Sequence, residues 1–188
     1  MGVNVGADDR RLSGTAIDPA LNEPLNDEDL RLLRCYESIF IGSYSHSLDG
    51  KGRMVVPQAF REKLGEKFFV APSQDFKSIA LYSEIAWARL RDRFARLQAK
   101  RMSYELIRFL EQFDAYSYRD QECDGQGRIL LPARLRQKIL GDEKDVEITG
   151  ANDHVRVVAA RSAEEQFAGF LKDLPDILGA MNTLDADA

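Results

Sequence analysis

The chain has 188 residues, of which 44% are hydrophobic and 30% charged, a composition typical of a globular protein. No apolar run approaches the roughly 20 residues that a membrane-spanning helix requires, and the polar residues 1–11 do not resemble a signal peptide. The isolated cysteines, Cys35 and Cys123, indicate a reducing cytoplasm and no disulfide framework. Neither His46 nor His154 has a Cys or His nearby in sequence, which argues against a zinc site.

The charge differs strongly between segments of the chain. Residues 1–38 carry a net charge of −4, residues 39–162 carry +4, and residues 163–188 carry −5. A mildly basic middle is therefore flanked by two acidic ends. Although the whole chain is acidic, the middle segment is compatible with a polyanionic partner.

The first 38 residues are predicted to be a flexible, acidic N-terminal extension. Glycine and prolines interrupt residues 12–24, which are expected to be irregular. An acidic stretch at residues 27–36 has the length of a short helix. The sequence suggests no role for this extension.

An internal repeat dominates the rest of the sequence. Residues 49–64 read DGKGRMVVPQAFREKL and residues 124–139 read DGQGRILLPARLRQKI, with seven of sixteen positions identical. The identical pairs are Asp49/Asp124, Gly50/Gly125, Gly52/Gly127, Arg53/Arg128, Pro57/Pro132, Arg61/Arg136 and Lys63/Lys138. Because a solenoid needs at least three repeats, the two copies indicate a duplicated unit.

Each copy predicts the same local structure. Its Asp-Gly-x-Gly segment supplies residues that tolerate the positive φ of a tight hairpin turn. The apolar triplets 54–56 and 129–131 are typical of short buried strands. Pro57 and Pro132 then end each strand and fit the first turn of a helix. With the apolar stretches that follow, each unit is predicted to be strand, tight turn, strand, short helix, strand, strand.

A helical insert separates the two copies. Trp87, Leu90, Phe94 and Leu97 recur at helical spacing over residues 84–97, and Ser103 is a suitable N-cap for a second helix. A last helix is predicted to begin with a capping box at Ser162 and to end at Pro175. The predicted boundaries are 1–38 for the extension, 43–89 for the first repeat, 90–116 for the insert, 117–161 for the second repeat, and 162–188 for the C-terminal helix and acidic tail.

Each copy has only about 45 residues, too few to bury a stable core alone. We therefore expect the two copies to interlock in one core with approximate twofold symmetry. The duplication would then do within one chain what dimerisation does for a single copy. The expected fold class is α+β.

These motifs resemble a known family. The segments LDGKGRMVVP and CDGQGRILLP, preceded by Phe40-Ile41-Gly42 and separated by a helical insert, are similar to those of MraZ proteins, bacterial transcriptional regulators with two SpoVT-AbrB-type units. The resemblance covers about residues 39–162. It leaves residues 1–38 outside the family pattern, and Val157-Val158 stand where an aromatic residue is more usual.

The resemblance implies an AbrB-like swapped-hairpin β-barrel with short helices. It also implies a cytoplasmic, nucleoid-associated protein that binds double-stranded DNA at direct repeats upstream of the division and cell wall gene cluster. Its partners would be that DNA and further copies of itself in a ring-shaped homo-oligomer. No membrane, small-molecule substrate or cofactor is implied.

The candidate DNA contacts lie in the two repeated loops. The residues expected to face DNA are Lys51 and Arg53 in the first loop, and Gln126 and Arg128 in the second. The residues expected to form the turns are Asp49, Gly50, Gly52, Asp124, Gly125 and Gly127. An arginine can contact phosphate or pair with guanine in the major groove. Because Gln126 replaces Lys51, we expect the first loop to contribute more to DNA binding.

Other interpretations of these residues remain open. Asp49 and Arg53 could simply bridge the turn and hold its shape. The arginine-rich helix at residues 89–101 could track DNA, although such a run is more often the solvated face of an amphipathic helix. For Arg61 and Arg136, the sequence leaves open an acidic partner or a neighbouring subunit.

Enzymatic chemistry has no support in the sequence, which lacks the common nucleotide-binding, hydrolase and metalloprotease motifs. Two further classes of function remain as alternatives to a DNA-binding regulator. One is an antitoxin-like AbrB protein that neutralises a toxin with its tail. The other is an oligomeric interaction scaffold with no DNA role, which the overall acidity favours.

Overall fold

The computed structural model describes residues 26–186, and the irregular stretch predicted at residues 12–24 lies outside them. The chain divides into two units between residues 39 and 40. In chain order the elements are α1 (Asp27–Glu37), β1 (Ser43–Ser47), β2 (Arg53–Val55), α2 (Gln58–Leu64), β3 (Phe68–Pro72), β4 (Ile79–Ser83), α3 (Glu84–Lys100), α4 (Tyr104–Ala115), β5 (Tyr118–Gln121), β6 (Arg128–Leu130), α5 (Ala133–Ile139), β7 (Asp145–Gly150), β8 (Val155–Ala159) and α6 (Ala160–Ala186).

The first unit contains the predicted acidic helix as α1. Asn26 caps it, because its side chain accepts a hydrogen bond from the N–H of Asp29 and the Asp29 carboxylate accepts one from the N–H of Asn26. Three acidic residues in the first turn interact favourably with the helix dipole. Local capping and charge therefore define the start of this helix.

In the second unit, two sheets contain all eight strands of the described residues. Six strands form one antiparallel sheet in the order β1-β7-β8-β4-β3-β5, and β2 pairs with β6 in a separate antiparallel sheet. We call β1–β4 the first repeat and β5–β8 the second. Exchanging the repeats maps the strand order onto itself, so an approximate twofold axis relates them.

The repeats interlock through exchanged strands. The first strand of each repeat pairs with the third strand of the other, β1 with β7 and β5 with β3. Each tight turn consequently joins strands of different sheets rather than two strands paired as a hairpin. The predicted order of strands and short helices is confirmed. Within residues 26–186 the ladders do not close on themselves, so the expected single barrel is not confirmed.

The central strands β3 and β4 of the six-stranded sheet are buried on both faces, whereas the edge strand β1 is mostly exposed. One face packs against β2, β6, α2 and α5, where the fully buried residues include Met54, Phe60, Ile129, Leu131 and Leu135. The other face packs against α3 and α4, where they include Tyr82 and Phe113. Replacing one of the large buried side chains by alanine would cost about 2–5 kcal/mol. The sheet is thus the middle layer of the domain, which carries β2 and β6 on one outer side.

The helices of the insert follow their sequence signals. Ser103 caps α4 as predicted, since its hydroxyl accepts a hydrogen bond from the N–H of Leu106 at 3.2 Å. Ser83 caps α3 in the same way through the N–H of Ala86. No helix of the described residues is both long and apolar enough to span a bilayer.

The predicted limits of the last helix are wrong at both ends. Helix α6 begins at Ala160, directly after β8, so Ser162 lies inside its first turn instead of at a cap. The helix also continues through Pro175 to Ala186. A proline inside a helix removes one hydrogen bond and bends the axis, but the turns on either side still form.

Candidate nucleic-acid interface

The first repeated loop is organised by the Asp49 carboxylate. Its Oδ1 accepts hydrogen bonds from the backbone N–H groups of Lys51 and Arg53, both at 2.9 Å. Its Oδ2 accepts one from Nε of Arg53 at 2.6 Å. The Gly52 N–H donates to the Asp49 carbonyl, which closes the turn. The aspartate therefore fixes the turn and the direction of the arginine side chain together.

The second loop repeats this arrangement bond for bond. Asp124 Oδ1 accepts from the N–H groups of Gln126 and Arg128 at 2.9 and 3.0 Å. Asp124 Oδ2 accepts from Nε and Nη2 of Arg128 at 2.9 and 2.8 Å. The sequence identity of the two loops thus corresponds to one shared geometry, and the interpretation of each pair as a bridge across the turn describes it correctly.

Both aspartates are ionised at neutral pH. The hydrogen bond from the Arg53 N–H is the largest cause that lowers the pKa of Asp49 to about 2. For Asp124 the side-chain hydrogen bond from Arg128 is the largest cause, and the pKa also falls to about 2. Each carboxylate therefore offsets one positive charge of its own loop. The first loop keeps a net charge of +1 through Lys51, whereas the second is neutral.

Only the second glycine of each loop adopts the left-handed conformation. Gly52 has φ of 80° and Gly127 has φ of 73°, whereas Gly50 and Gly125 are not among the glycines with positive φ. The expectation that both glycines supply positive φ is therefore correct for one position of each pair. Gly52 and Gly127 are buried and the first glycines are exposed, which places the structural constraint on the second position.

Strands β2 and β6 carry the two arginines on one outer face. In their ladder Arg53 pairs with Leu130 and Val55 with Arg128, while Met54 pairs with Ile129. Paired residues of adjacent strands point to the same face. Met54 and Ile129 are buried in the core, so the other four side chains lie on the outer face, which we call the β2–β6 face. Leu130 is 57% exposed there.

The predicted contact residues are all accessible to different degrees. Lys51 and Gln126 are exposed at the loop tips. The side chains of Arg53 and Arg128 are each 29% exposed, because the aspartates cover one side of each guanidinium group. The sequence predicted these residues as contacts. It contains no signal for the pairing of β2 with β6, which brings the two loops to the two ends of one ribbon.

Most arginine side chains of the arginine-rich helix bond to nearby residues. Arg91 bonds to Asp114, Arg93 to Gln74, and Arg96 to Asp92 on the same helix. Arg89 is exposed. This pattern fits the solvated face of an amphipathic helix better than a surface prepared for DNA.

Two further observations concern possible ligand sites in the described part of the chain. Residues 26–186 contain no group of three or more His, Cys, Asp and Glu side chains placed to hold a metal ion. A groove of about 770 Å³ between α4 and α5 is lined mainly by aromatic and aliphatic residues, including Phe76, Phe109, Tyr116 and Ile139. Its lining contains neither of the loop arginines.

Comparison with known proteins identifies one family. The family described as "MraZ protein, putative antitoxin-like" matches residues 39–109. A protein of Acetivibrio thermocellus named "Transcriptional regulator MraZ" is 39% identical over 119 residues, which cover 63% of this chain and 80% of the relative. A relative with the same name in Desulfitobacterium hafniense is 33% identical over 74% of this chain and 99% of its own length. Another, in a Thermoanaerobacter species, is 35% identical over 68% of this chain and 85% of its own length.

The fold is therefore that of a duplicated α+β protein with paired Asp-Gly-x-Gly-Arg loops. The chain belongs to the MraZ family.

Proposed function

We propose that this chain is a DNA-binding transcriptional regulator that reads DNA with the β2–β6 face and its two loops. The single observation that carries the proposal is the placement of Arg53 and Arg128 on one exposed face of a two-stranded ribbon. A two-stranded antiparallel ribbon fits the major groove of B-DNA, where arginine pairs with guanine. The names of the relatives support the same role.

The net charges of the two loops predict how much each contributes to DNA binding. Loop 1 has a net charge of +1 and loop 2 is neutral, so a single chain would bind a polyanion weakly. We propose that Arg53 and Lys51 are the main contacts and that Arg128 and Gln126 are secondary ones. The aspartates and glycines of both loops would hold these side chains in position.

Weak single contacts become strong when several copies bind together. We propose a ring-shaped homo-oligomer that binds direct repeats at a promoter of the division and cell wall gene cluster. A protein bound to these sites would be associated with the nucleoid. This part of the proposal follows from the family resemblance. We also propose the predicted division into extension, first repeat, insert, second repeat and C-terminal helix, with the insert starting at Glu84 and the last helix at Ala160, where α3 and α6 begin. The two exchanged-strand repeats would be the swapped-hairpin unit of the family.

An exposed apolar stripe on α6 is a surface where a second copy can bind. Its members fall within an arc of about 120° on one side of the helix at 100° per residue. They are Phe167, Phe170, Leu171, Ile177, Leu178 and Met181, each 39–62% exposed. Both cations of the helix, Arg161 and Lys172, fall on the opposite side at 100° per residue. Stripes of this spacing typically pack helix against helix.

The test of self-association is Leu178→Glu, with Lys172→Glu on the opposite side as the matched control. A charge in a helix interface is expected to dissociate the oligomer because the buried carboxylate would have no partner. Because Leu178 is half exposed in a single chain, the thermal unfolding of the monomer should barely change. Light scattering after size exclusion measures the mass. An oligomer that survives Leu178→Glu would exclude this stripe as the interface.

The test of DNA binding is a gel shift of the full chain with the DNA upstream of its own gene. A duplex in which the direct repeats are scrambled serves as the control, and the titration is repeated at several salt concentrations. Preference for the intact repeats, weakened by salt, is the expected result. An oligomer that binds neither duplex would favour the scaffold alternative.

The antitoxin-like alternative is favoured by the family description and by the same α6 stripe. In that case α6 would bind a toxin encoded beside this gene. The test is to purify this chain together with that toxin. A complex that Leu178→Glu abolishes, while the mass of the free chain stays unchanged, would support the antitoxin-like alternative.

A further inference from the structure

Two arginines outside the loops reach across from one repeat to the other. Arg136 on α5, in the second repeat, lies against Gly52 in the first loop, and its Nη1 donates a hydrogen bond to the Lys51 carbonyl at 3.4 Å. A Cβ atom added at Gly52 would overlap this guanidinium group. The absence of a side chain at Gly52 therefore creates the space that Arg136 occupies.

The opposite pair has the same arrangement. Arg61 on α2, in the first repeat, lies against Gly127 in the second loop, where an added Cβ would come within 2.5 Å of Cζ and 3.0 Å of Nε. The Arg61 charge also acts on Cys123 at the start of this loop, where it opposes the rise in the thiol pKa caused by burial. Within residues 26–186, Nε of Arg61 is buried without a hydrogen-bond partner. Packing therefore holds Arg61 in place.

The same glycines are tied to the opposite repeat through their carbonyl groups. The Gly52 carbonyl accepts from the N–H of Leu131 at 3.2 Å, and the Gly127 carbonyl accepts from the N–H of Val56 at 2.9 Å. Each glycine is thus bonded to the strand end of the other repeat and covered by an arginine of that repeat's helix. This double contact occurs at the position just before the loop arginine.

We propose that Arg61 and Arg136 are positioning residues, each of which braces the DNA-reading loop of the other repeat. Arg136 would hold the first loop and Arg61 would hold the second, so each loop depends on a helix of the other repeat. A planar guanidinium group can lie flat on a glycine peptide, whereas a lysine ammonium group cannot replace it there. The proposal rests on the proposed DNA-binding function of the loops.

The competing role for these arginines is direct contact with phosphate, and the two roles predict different salt dependence. A phosphate contact adds about 0.9 to the slope of log affinity against log salt, and lysine can supply it. A brace adds nothing to the slope and requires arginine. Arg136→Ala and Arg136→Lys therefore separate the two roles when affinity is measured across salt concentrations. The matched control is Arg134→Ala on the same helix, because Arg134 lies over the Tyr116 ring.

If Arg136 is a brace, both of its variants should weaken operator binding about tenfold, the value of one misplaced bidentate contact, with an unchanged salt slope. Arg134→Ala should bind normally. Full rescue by lysine, together with a slope reduced by about 0.9 in Arg136→Ala, would assign Arg136 to phosphate and overturn the proposal. Normal binding by Arg136→Ala would also overturn it.

Two measurements keep this test independent of DNA binding and of misfolding. Hydrogen exchange of the free protein should show faster exchange in residues 49–53 of Arg136→Ala and unchanged exchange in residues 124–128. If Arg136 does not brace the first loop, the exchange of residues 49–53 will not change, whether or not the chain binds DNA. If Arg136 does brace it, the faster exchange will be seen even in a chain that binds no DNA. In a double-mutant cycle, Arg136→Ala should relieve the steric part of the defect of Gly52→Ala, so additive effects on unfolding would contradict the contact.

Discussion

The two loops of this protein share one backbone and one hydrogen-bond pattern, yet they differ in charge. Asp49 and Asp124 each accept the same bonds from the residues two and four positions later, and the distances agree to within about 0.3 Å. The difference lies at the exposed tip, where the first loop has Lys51 and the second has Gln126. Residues that form the turn are thus equivalent in the two repeats, whereas a solvent-facing position can vary without cost to the turn. The comparison separates what holds a loop from what the loop can bind.

The largest expected effect comes from removing the two loop arginines one at a time. Arg53→Ala should weaken operator binding by at least about tenfold, and Arg128→Ala should weaken it less. The reason is that the positive charge of Lys51 attracts the first loop to the phosphates, so Arg53 lies closer to the DNA than Arg128. Gel-shift titrations at fixed salt measure both. Arg89→Ala on the exposed surface of α3 is the matched control. Equal losses would show that the loops contribute equally, and normal binding by both variants would exclude the β2–β6 face as the reader.

Exchanging the residues at the loop tips should have a smaller effect, which is mainly electrostatic. Lys51→Gln should lower the salt slope of DNA binding by about 0.9, and Gln126→Lys should raise it by about the same amount. The double variant has the wild-type net charge and should regain the wild-type slope if the loops lie equivalently against DNA. A double variant with the slope of Lys51→Gln would show that only the first loop reaches the phosphates.

The smallest expected effect is on stability, and it should be the same in both loops. The pKa of Asp49 and of Asp124 is about 2, below the ordinary value of 3.8. A lowered pKa stabilises the folded state above about pH 4 and loses this contribution as the pH falls toward 2. Thermal unfolding of Asp49→Asn should therefore lie slightly below wild type at neutral pH and converge with it near pH 2. A gap that persists at pH 2 would assign the difference to something other than ionisation.

The local elements could be predicted because their causes are local. The Asp-Gly-x-Gly-Arg pattern indicated both turns, the prolines after β2 and β6 marked the helix starts, and Ser103 capped α4 as expected. The predicted end of α6 at Pro175 failed because a proline weakens a helix without always ending it. The predicted hairpins also failed as pairings, because each turn joins strands whose hydrogen-bond partners belong to the other repeat.

The sequence by itself determined the duplication, because the two copies can be compared directly. It also determined the turn chemistry, the candidate contact residues and the α+β class, since these depend on neighbours a few positions apart. Only the tertiary structure decided that β2 pairs with β6, that both loop arginines share one face, and that Arg61 and Arg136 cross to the opposite loops. Those contacts join residues 66 to 84 positions apart. Nothing in the spacing of either copy specifies its partner, because strand pairing and side-chain packing are settled by burial of the whole core.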